Sequence, residues 1–302
     1  MGTLYVVATP IGNLEDLSPR AVRVLREVTL IAAEDTRHSR RLLTHFEIRT
    51  PTVSYHEHNQ QSRRQLLLEA LATGDVALVT DAGTPGVSDP GADLVMAALV
   101  GGYRVSPIPG PSALAAAVSA CGLIDGPFLT LGFLPRERGE RLRLVARAAT
   151  TSFPLVVFES ARRIEATLRE LMEILGDRPA VILRELTKMH EEVRAGSLSV
   201  LRHWAEDGDP RGEIALVIAA SPDIATSDDD TEAVVRTLRR SGLSASQTAR
   251  EAAAITGLPR SELYRLALAV DALGSIGLKT ELALPDEDAL QDPLSNQEGP
   301  EG

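Results

Sequence analysis

The apolar positions fall into short β-prone runs that alternate with stretches of helical spacing. Leu4–Thr9 is apolar and ends in Pro10-Ile11-Gly12-Asn13, a strand entering a turn. Ser18-Pro19 then opens a helix to about Glu27, with Ser18 at the N-cap and Pro19 in the first turn. Leu30–Ala33 predicts a short buried strand, followed by the polar cluster Glu34-Asp35-Thr36-Arg37-His38. Ser62–Ala72 has helical spacing, and Asp75–Thr80 is a nearly continuous apolar strand ending at Asp81-Ala82-Gly83-Thr84-Pro85-Gly86. Asp93–Val100 predicts a helix stopped by Gly101-Gly102. Arg104–Ile108 is a further strand, ending at Pro109-Gly110-Pro111-Ser112 before a helix of small residues. This alternation predicts an α/β layer with a mostly parallel sheet.

A second unit starts near Pro127. Phe128–Leu131, Leu155–Phe158, Ala180–Leu183 and Ile214–Ala219 read as strands, and Gly139–Ala148 and Arg162–Leu175 as helices, the latter stopped by Gly176. Ser221–Asp230 reads as a polar, acidic linker. Glu232–Arg240, Ala245–Ile255 and Arg260–Val270 read as three short helices. The expected organisation is an α/β domain over 1–115 with the Gly/Pro loops and a second α/β domain over 116–222. A linker over 223–231, a helical module over 232–272 and a mobile acidic tail over 273–302 follow.

Charge changes the picture only when it is divided. The 302 residues carry a net charge of −11, which taken whole argues against a nucleic-acid partner. Residues 1–220 are net −3, 221–232 are −5, 233–270 are +4 and 271–302 are −7. The surplus acid therefore sits in the linker and tail, and the remainder sums to +1. The single cysteine, Cys121, excludes an internal disulfide and fits a reducing cytoplasm. No apolar run approaches the ~20 residues of a membrane span, and no basic-then-apolar leader is present, so neither a membrane nor a secretion signal is expected.

Three strands ending in Gly/Pro turns within the first 112 residues point to a small-molecule cleft, because ligands of α/β sheets collect at the carboxyl ends of strands. Glycine lets backbone approach a ligand closely and proline fixes the loop shape. No G-x-G occurs in the chain, so the dinucleotide fingerprint and a pyrophosphate cradle of that kind are absent, as is the Walker A pattern. His56 and His58 flank Glu57 in an H-x-H spacing without a partner cluster, and no metal is expected.

The segments Tyr5-Val6-Val7-Ala8-Thr9-Pro10-Ile11-Gly12-Asn13, Ala32-Ala33-Glu34-Asp35-Thr36-Arg37-His38 and Val79-Thr80-Asp81-Ala82-Gly83-Thr84-Pro85 resemble the tetrapyrrole-methylase-fold family. So do Pro109-Gly110-Pro111-Ser112, Phe158-Glu159-Ser160, Arg184-Glu185-Leu186-Thr187-Lys188 and Gly212-Glu213, in order over residues 3 to about 270. The Glu-Asp-Thr-Arg and Arg-Glu-Leu-Thr-Lys segments resemble the branch of that family that modifies small-subunit ribosomal RNA. The resemblance implies two α/β domains with an S-adenosylmethionine cleft between them, plus a helix-turn-helix-like C-terminal module. It implies methylation of the ribose 2′-hydroxyl of a cytidine in the decoding region of 16S rRNA, with 16S rRNA or the 30S subunit as partner and a homodimer as assembly. Carried over position by position, the cofactor-binding residues are Pro10, Gly12, Asp81, Ala82, Gly83, Thr84, Pro85, Ser88, Pro109, Gly110, Pro111 and Ser112. Asp81 is either a direct ligand group or a cap of its turn.

Methyl transfer to a hydroxyl needs an aligned oxygen and a group that takes its proton. The candidates are Lys188, Glu34, Asp35, Arg37, Glu159 and Glu185, with His38, Arg163 and Glu191 nearby in sequence; each can equally be an ordinary ion-pair partner. Lys188 is favoured because the chain has 29 arginines and only two lysines, and a buried lysine can lose its proton where arginine cannot. For RNA, Arg136, Arg138, Arg141 and Arg143 form a run interleaved with Glu137 and Glu140, either a phosphate contact or a solvated helix face. Arg250, Arg260 and Arg265 of the basic module, beside Tyr264, either meet RNA or belong to a helical cap on the body.

Overall fold

In the computed structural model, residues 2–149, 151, 153–220, 228–240 and 243–280 are described; most of the acidic linker and the tail beyond 280 lie outside them. The chain divides into a unit over Met1–Pro222 and a unit over Asp223–Gly302. In chain order the first holds β1 (Thr3–Val7), α1 (Pro19–Glu27), β2 (Leu30–Ala33), α2 (Thr36–His45), β3 (Thr52–Ser54), α3 (Gln60–Thr73), β4 (Val76–Val79), α4 (Ala92–Val100), β5 (Arg104–Ile108) and α5 (Ala113–Cys121). β6 (Leu129–Phe133), α6 (Arg138–Ala149), β7 (Leu155–Ser160), α7 (Ala161–Leu175), β8 (Pro179–Arg184), β9 (Glu192–Ser197), α8 (Leu198–Gly208) and β10 (Glu213–Ile218) complete it. A 3-10 turn over Leu14–Asp16 precedes α1.

The first sheet has the order β3-β2-β4-β1-β5, and every pairing is parallel. Alternation along β4 sends Ala77 and Val79 to one face and Val76 and Leu78 to the other. The first face is covered by Ala21, Val24 and Leu25 of α1 and Leu43 of α2; the second by Leu67 and Leu71 of α3 and Leu94 and Ala98 of α4. β4 is buried on both faces, so it reads as a continuous apolar run.

The second sheet, β6-β7-β10-β8-β9, is mixed. Only β6 and β7 pair in parallel; β10 runs antiparallel to β7 and β8, and β9 antiparallel to β8. The reason is connectivity: the short turn over 185–191 returns the chain directly, whereas a parallel neighbour needs a crossover of a dozen residues or more. α6, α7 and α8 cover one face, and α5 lays Ala117 and Cys121 on the other, against Val156, Phe158, Val181, Leu183, Ala215 and Val217.

Four elements of this unit go beyond those expected from the sequence. α2 occupies the polar cluster after β2, β3 has only three residues, and β9 and α8 lie between Arg184 and Glu213. β9 is an edge strand with Val193, Arg194 and Ala195 exposed, so it lacks a one-sided alternation. The second unit holds α9 (Asp228–Arg240), α10 (Ala245–Thr256) and α11 (Arg260–Thr280). Val235, Ala249, Ala252, Leu263 and Ala267 form its core. Ser244 and Gln247 make a capping box at the start of α10, and Gly257 ends that helix in the left-handed region at φ +70°.

Candidate functional site

Three Gly/Pro loops meet at the carboxyl end of the first sheet and are tied together by backbone. Thr9 and Gly83 exchange both amide hydrogen bonds, Thr9 N to Gly83 O at 2.8 Å and Gly83 N to Thr9 O at 3.0 Å. Thr9 Oγ1 donates to Thr80 O at 3.1 Å, and Thr84 Oγ1 donates to Pro111 O at 3.1 Å. A fourth segment joins them: Asp81 N donates to Glu34 Oε2 at 3.2 Å, and Asp35 N donates to Asp81 Oδ1 at 3.1 Å. Asp81 therefore braces the turn and also faces the cleft.

The cleft measures about 240 Å³. Its polar wall comes from the first sheet's loops, with Glu34, Asp81, Ala82, Gly83, Thr84, Ser88, Asp89 and Ser112. Its apolar wall comes from α5 and the second sheet, with Leu114, Phe133, Phe158, Leu183, Leu186 and Ile214; Phe133 and Phe158 pack ring to ring at 5.5 Å. Gly132, at φ +60°, lies where its Cβ would stand 2.9 Å from Ser88 Oγ, so the 86–90 loop sits directly on β6. Ser88 itself adopts φ +65°, a conformation that a non-glycine residue takes at a cost.

Of the twelve residues expected at a cofactor, Asp81, Ala82, Gly83, Thr84, Ser88 and Ser112 line the cleft. Pro10, Gly12, Pro85, Pro109, Gly110 and Pro111 stand behind it and shape the loops; a Cβ on Gly110 would meet Ala8 Cβ at 3.1 Å. Ser112 also caps α5, accepting from Ala115 N at 3.4 Å. The sequence reading missed Asp89 and the apolar wall. Asp89 carried one local signal, its place in a polar Ser-Asp-Pro stretch after the second loop; Phe133 and Ile214 carried none, because they reach the cleft from a different sheet.

Glu34, Asp81 and Asp89 of the cleft enter no ion pair among the described residues. Burial pushes Asp89 up to about 7, with the charges of Glu34 and Asp81 adding to the effect. Burial also raises Glu34, partly offset by the hydrogen bond from the Asp81 amide and by the nearby His56 and His38. Glu159 is buried at the cleft wall and satisfied: its Oε2 meets Arg163 at 3.1 Å and accepts from Thr167 Oγ1 at 3.0 Å, and its Oε1 accepts from Ser160 N at 2.8 Å. Asp35 caps α2 and pairs with the exposed Arg37 at 3.2 Å, so neither lines the cleft.

Lys188 sits next to the first loop, not in the cleft. Its Nζ bonds Glu185 Oε1 at 2.8 Å and Glu213 Oε2 at 2.9 Å. Glu185 Oε1 also accepts from Glu213 N at 3.0 Å. Burial lowers the Lys188 pKa, but the two carboxylates raise it by more, and the net shift is upward. The half-buried Glu185 and the exposed Glu213 together favour the charged form of Lys188, against the expectation of a lysine that loses its proton. Gly12 is where Lys188 and loop one touch, since a Cβ there would come within 2.4 Å of Lys188 Cγ.

The arginines expected to meet RNA separate by environment. Arg141 is bidentate to Glu170, at 2.6 and 2.9 Å, and also donates to Pro135 O and Arg136 O; its side chain is 12% exposed. That pair locks α6 to α7, so the expectation of a phosphate contact fails for Arg141. Arg138 is exposed but shares Glu170 and Glu173. Arg136 and Arg143 are exposed, as are Arg250, Arg260 and Arg265 in the helical unit, Arg250 bonding Glu251. His56 stands after β3 with its Nε2 3.1 Å from Asn59 Nδ2, and among the described residues no cluster of His, Cys, Asp and Glu is arranged to hold a metal.

Known proteins share these features. Residues 3–201 match the Tetrapyrrole (Corrin/Porphyrin) Methylases family, and residues 225–270 match the RsmI C-terminal HTH domain. The ribosomal RNA small subunit methyltransferase I of Synechocystis sp. is 45% identical over 279 residues, covering 91% of this chain and all of that protein. In solved structures the fold recurs in a diphthine synthase, with a TM-score of 0.58 and 16% identity over 73% of this chain and 90% of that one. It recurs also in the uroporphyrin-III C-methyltransferase of Thermus thermophilus complexed with S-adenosyl homocysteine, with a TM-score of 0.50 and 21% identity over 72% and 97%. The chain belongs to the tetrapyrrole methylase family, in the branch of the ribosomal RNA small subunit methyltransferase I proteins.

Proposed function

We propose that the protein transfers the methyl group of S-adenosylmethionine to the ribose 2′-hydroxyl of a cytidine in the decoding region of 16S rRNA. The observation that carries this reading is the likeness, along the full length of the relative, to a ribosomal RNA small subunit methyltransferase I. A soluble cytoplasmic homodimer acting on the RNA or on the 30S subunit completes the proposal; among the described residues no helix is long and apolar enough to cross a membrane.

The residues present fit that cofactor. Glu34, Asp81 and Asp89 concentrate negative charge without an ion-pair partner among the described residues, and burial disfavours it, as the upward shifts of Glu34 and Asp89 record. A sulfonium is the charge they lack, and Leu114, Phe133, Phe158 and Ile214 offer apolar surface for an adenine and a methionine chain. When bound, the cofactor supplies an activated methyl group and its own leaving group. Asp81, Gly83, Thr84, Ser88 and Ser112 would hold and orient it through side chains and loop backbone. The second sheet's apolar wall excludes water. The acceptor oxygen must lose its proton as its bond to the methyl carbon forms. Asp89, pushed up to about 7, faces the space and is matched to accept it near neutral pH, and Glu34, also raised by burial, faces the same space. Lys188, held cationic by Glu185 and Glu213, stabilises charge instead.

Mass mapping of 16S rRNA nucleosides from cells with and without the protein tests the reading. One cytidine ribose methyl should disappear with the protein. An identical methylation map in both would refute it.

A further inference from the structure

The cleft and its RNA substrate make opposite electrostatic demands. Glu34, Asp81 and Asp89 suit a cation and repel phosphate, so an RNA strand entering this cleft needs positive charge around the mouth. The averaged −3 of residues 1–220 hides such a segment. Residues 36–68 carry six arginines against Glu47 and Glu57, and four of the chain's six histidines.

The fold places this segment at the cleft. β2 ends at Ala33, Glu34 and Asp35 follow in the cleft wall, and Asp35 caps α2. β3 lies beside β2 in parallel, so the start of α3 stands at the same end of the sheet. His38 of α2 and His56 after β3 are both close enough to Glu34 to act on its charge. On α2, Ser39 and Leu43 face the core, while Arg37, His38, Arg40, Arg41 and His45 are exposed, and the helix contains no acid. The first turn of α3 contains no acid either, and Arg63 closes that turn with Arg64 next to it.

One feature separates this patch from α6. Among the described residues, no side-chain hydrogen bond or ion pair holds Arg40, Arg41, Arg63 or Arg64, whereas Arg138 and Arg141 of α6 share Glu170. Four arginines without carboxylate partners suit a polyanion.

We propose that Arg40, Arg41, Arg63 and Arg64 grip the RNA phosphates that flank the acceptor nucleotide. The proposal rests on the reading of ribosomal RNA as substrate. The test replaces all four by Gln and follows binding and methylation of unmodified 30S subunits and their RNA across a salt series. Four lost phosphate contacts should flatten the slope of log affinity against log salt by about 3. KM for RNA should rise at least tenfold with kcat near its original value, and S-adenosylmethionine affinity, measured by calorimetry, should not change. The fourfold Arg→Lys variant should recover the slope, which a folding defect would not allow. An unchanged slope and KM in a Gln variant of a protein that itself methylates the RNA would overturn this surface alone. No methyl transfer by the unaltered protein to either RNA form would overturn the substrate reading, and the surface with it.

Discussion

Gly212→Ala isolates the support beneath Lys188. Gly212 has φ +93°, and a Cβ there would lie 2.3 Å from Glu185 Oε1, 2.4 Å from its Cδ and 2.7 Å from its Cγ. Two costs follow. Holding an L-residue in left-handed backbone costs about 1–2 kcal/mol. Glu185 must also swing away, losing its bonds to Lys188 Nζ and Glu213 N. A charge-assisted bond contributes about 1.5–3 kcal/mol when desolvated, but Lys188 is 29% and Glu185 19% exposed, so water recovers part of it. About 1 kcal/mol remains, for a total of about 2–3 kcal/mol. For a unit of this size that lowers Tm by about 4–12 °C. The decisive assay is a double-mutant cycle by urea denaturation. In a Glu185→Ala background the clash is gone, so Gly212→Ala should cost only the backbone strain, leaving a coupling of about 1 kcal/mol. Equal costs in both backgrounds would show that Glu185 does not occupy the space behind Gly212.

Asp89→Asn should weaken S-adenosylmethionine while sparing S-adenosylhomocysteine, because only the first carries the sulfonium charge; equal losses for both would remove Asp89 from charge selection. The sign of its pH effect is fixed: a carboxyl pushed up to about 7 binds its proton more tightly folded than unfolded. This group's contribution to stability is therefore full below the ordinary carboxylate range and falls as pH rises to about 7. The Asn variant should lack that falling limb in a pH series of denaturation midpoints. Lys188→Ala should slow methyl transfer without moving the pH profile near neutrality, since its partners keep it cationic there; loss of a titrating limb would make Lys188 the proton acceptor after all. Arg141→Ala should destabilise the protein by about 3 kcal/mol, by stripping a buried carboxylate of its bidentate partner, and should leave the salt dependence of RNA binding unaltered. A flattened slope would return Arg141 to the RNA surface.

Local chemistry was legible in the sequence. The Ser18 cap with Pro19, the Ser112 cap of α5, the runs that became β1, β2, β4 and β5, and the three Gly/Pro strand ends all depend on a few neighbouring residues, and spacing reveals them. α8 was equally open to reading, with Leu198, Leu201 and Ala205 at helical spacing behind the Ser197 cap. Glu34, Asp81 and the Gly/Pro loops of the cleft were legible for the same reason, because they follow the ends of strands of a single sheet, whereas Asp89, ten residues beyond β4, was not. Tertiary structure decided the rest. Phe133, Phe158 and Ile214 become a wall of the cleft only because a second sheet, mostly antiparallel, faces the first. Glu213, 25 residues away, turns toward Lys188 and favours its charged form, and Glu170, 29 residues away, engages Arg141. Residue type fixes what a side chain can do. Whether its charge stays free depends on which distant partner folding sets within hydrogen-bond reach, and no local spacing contains that information.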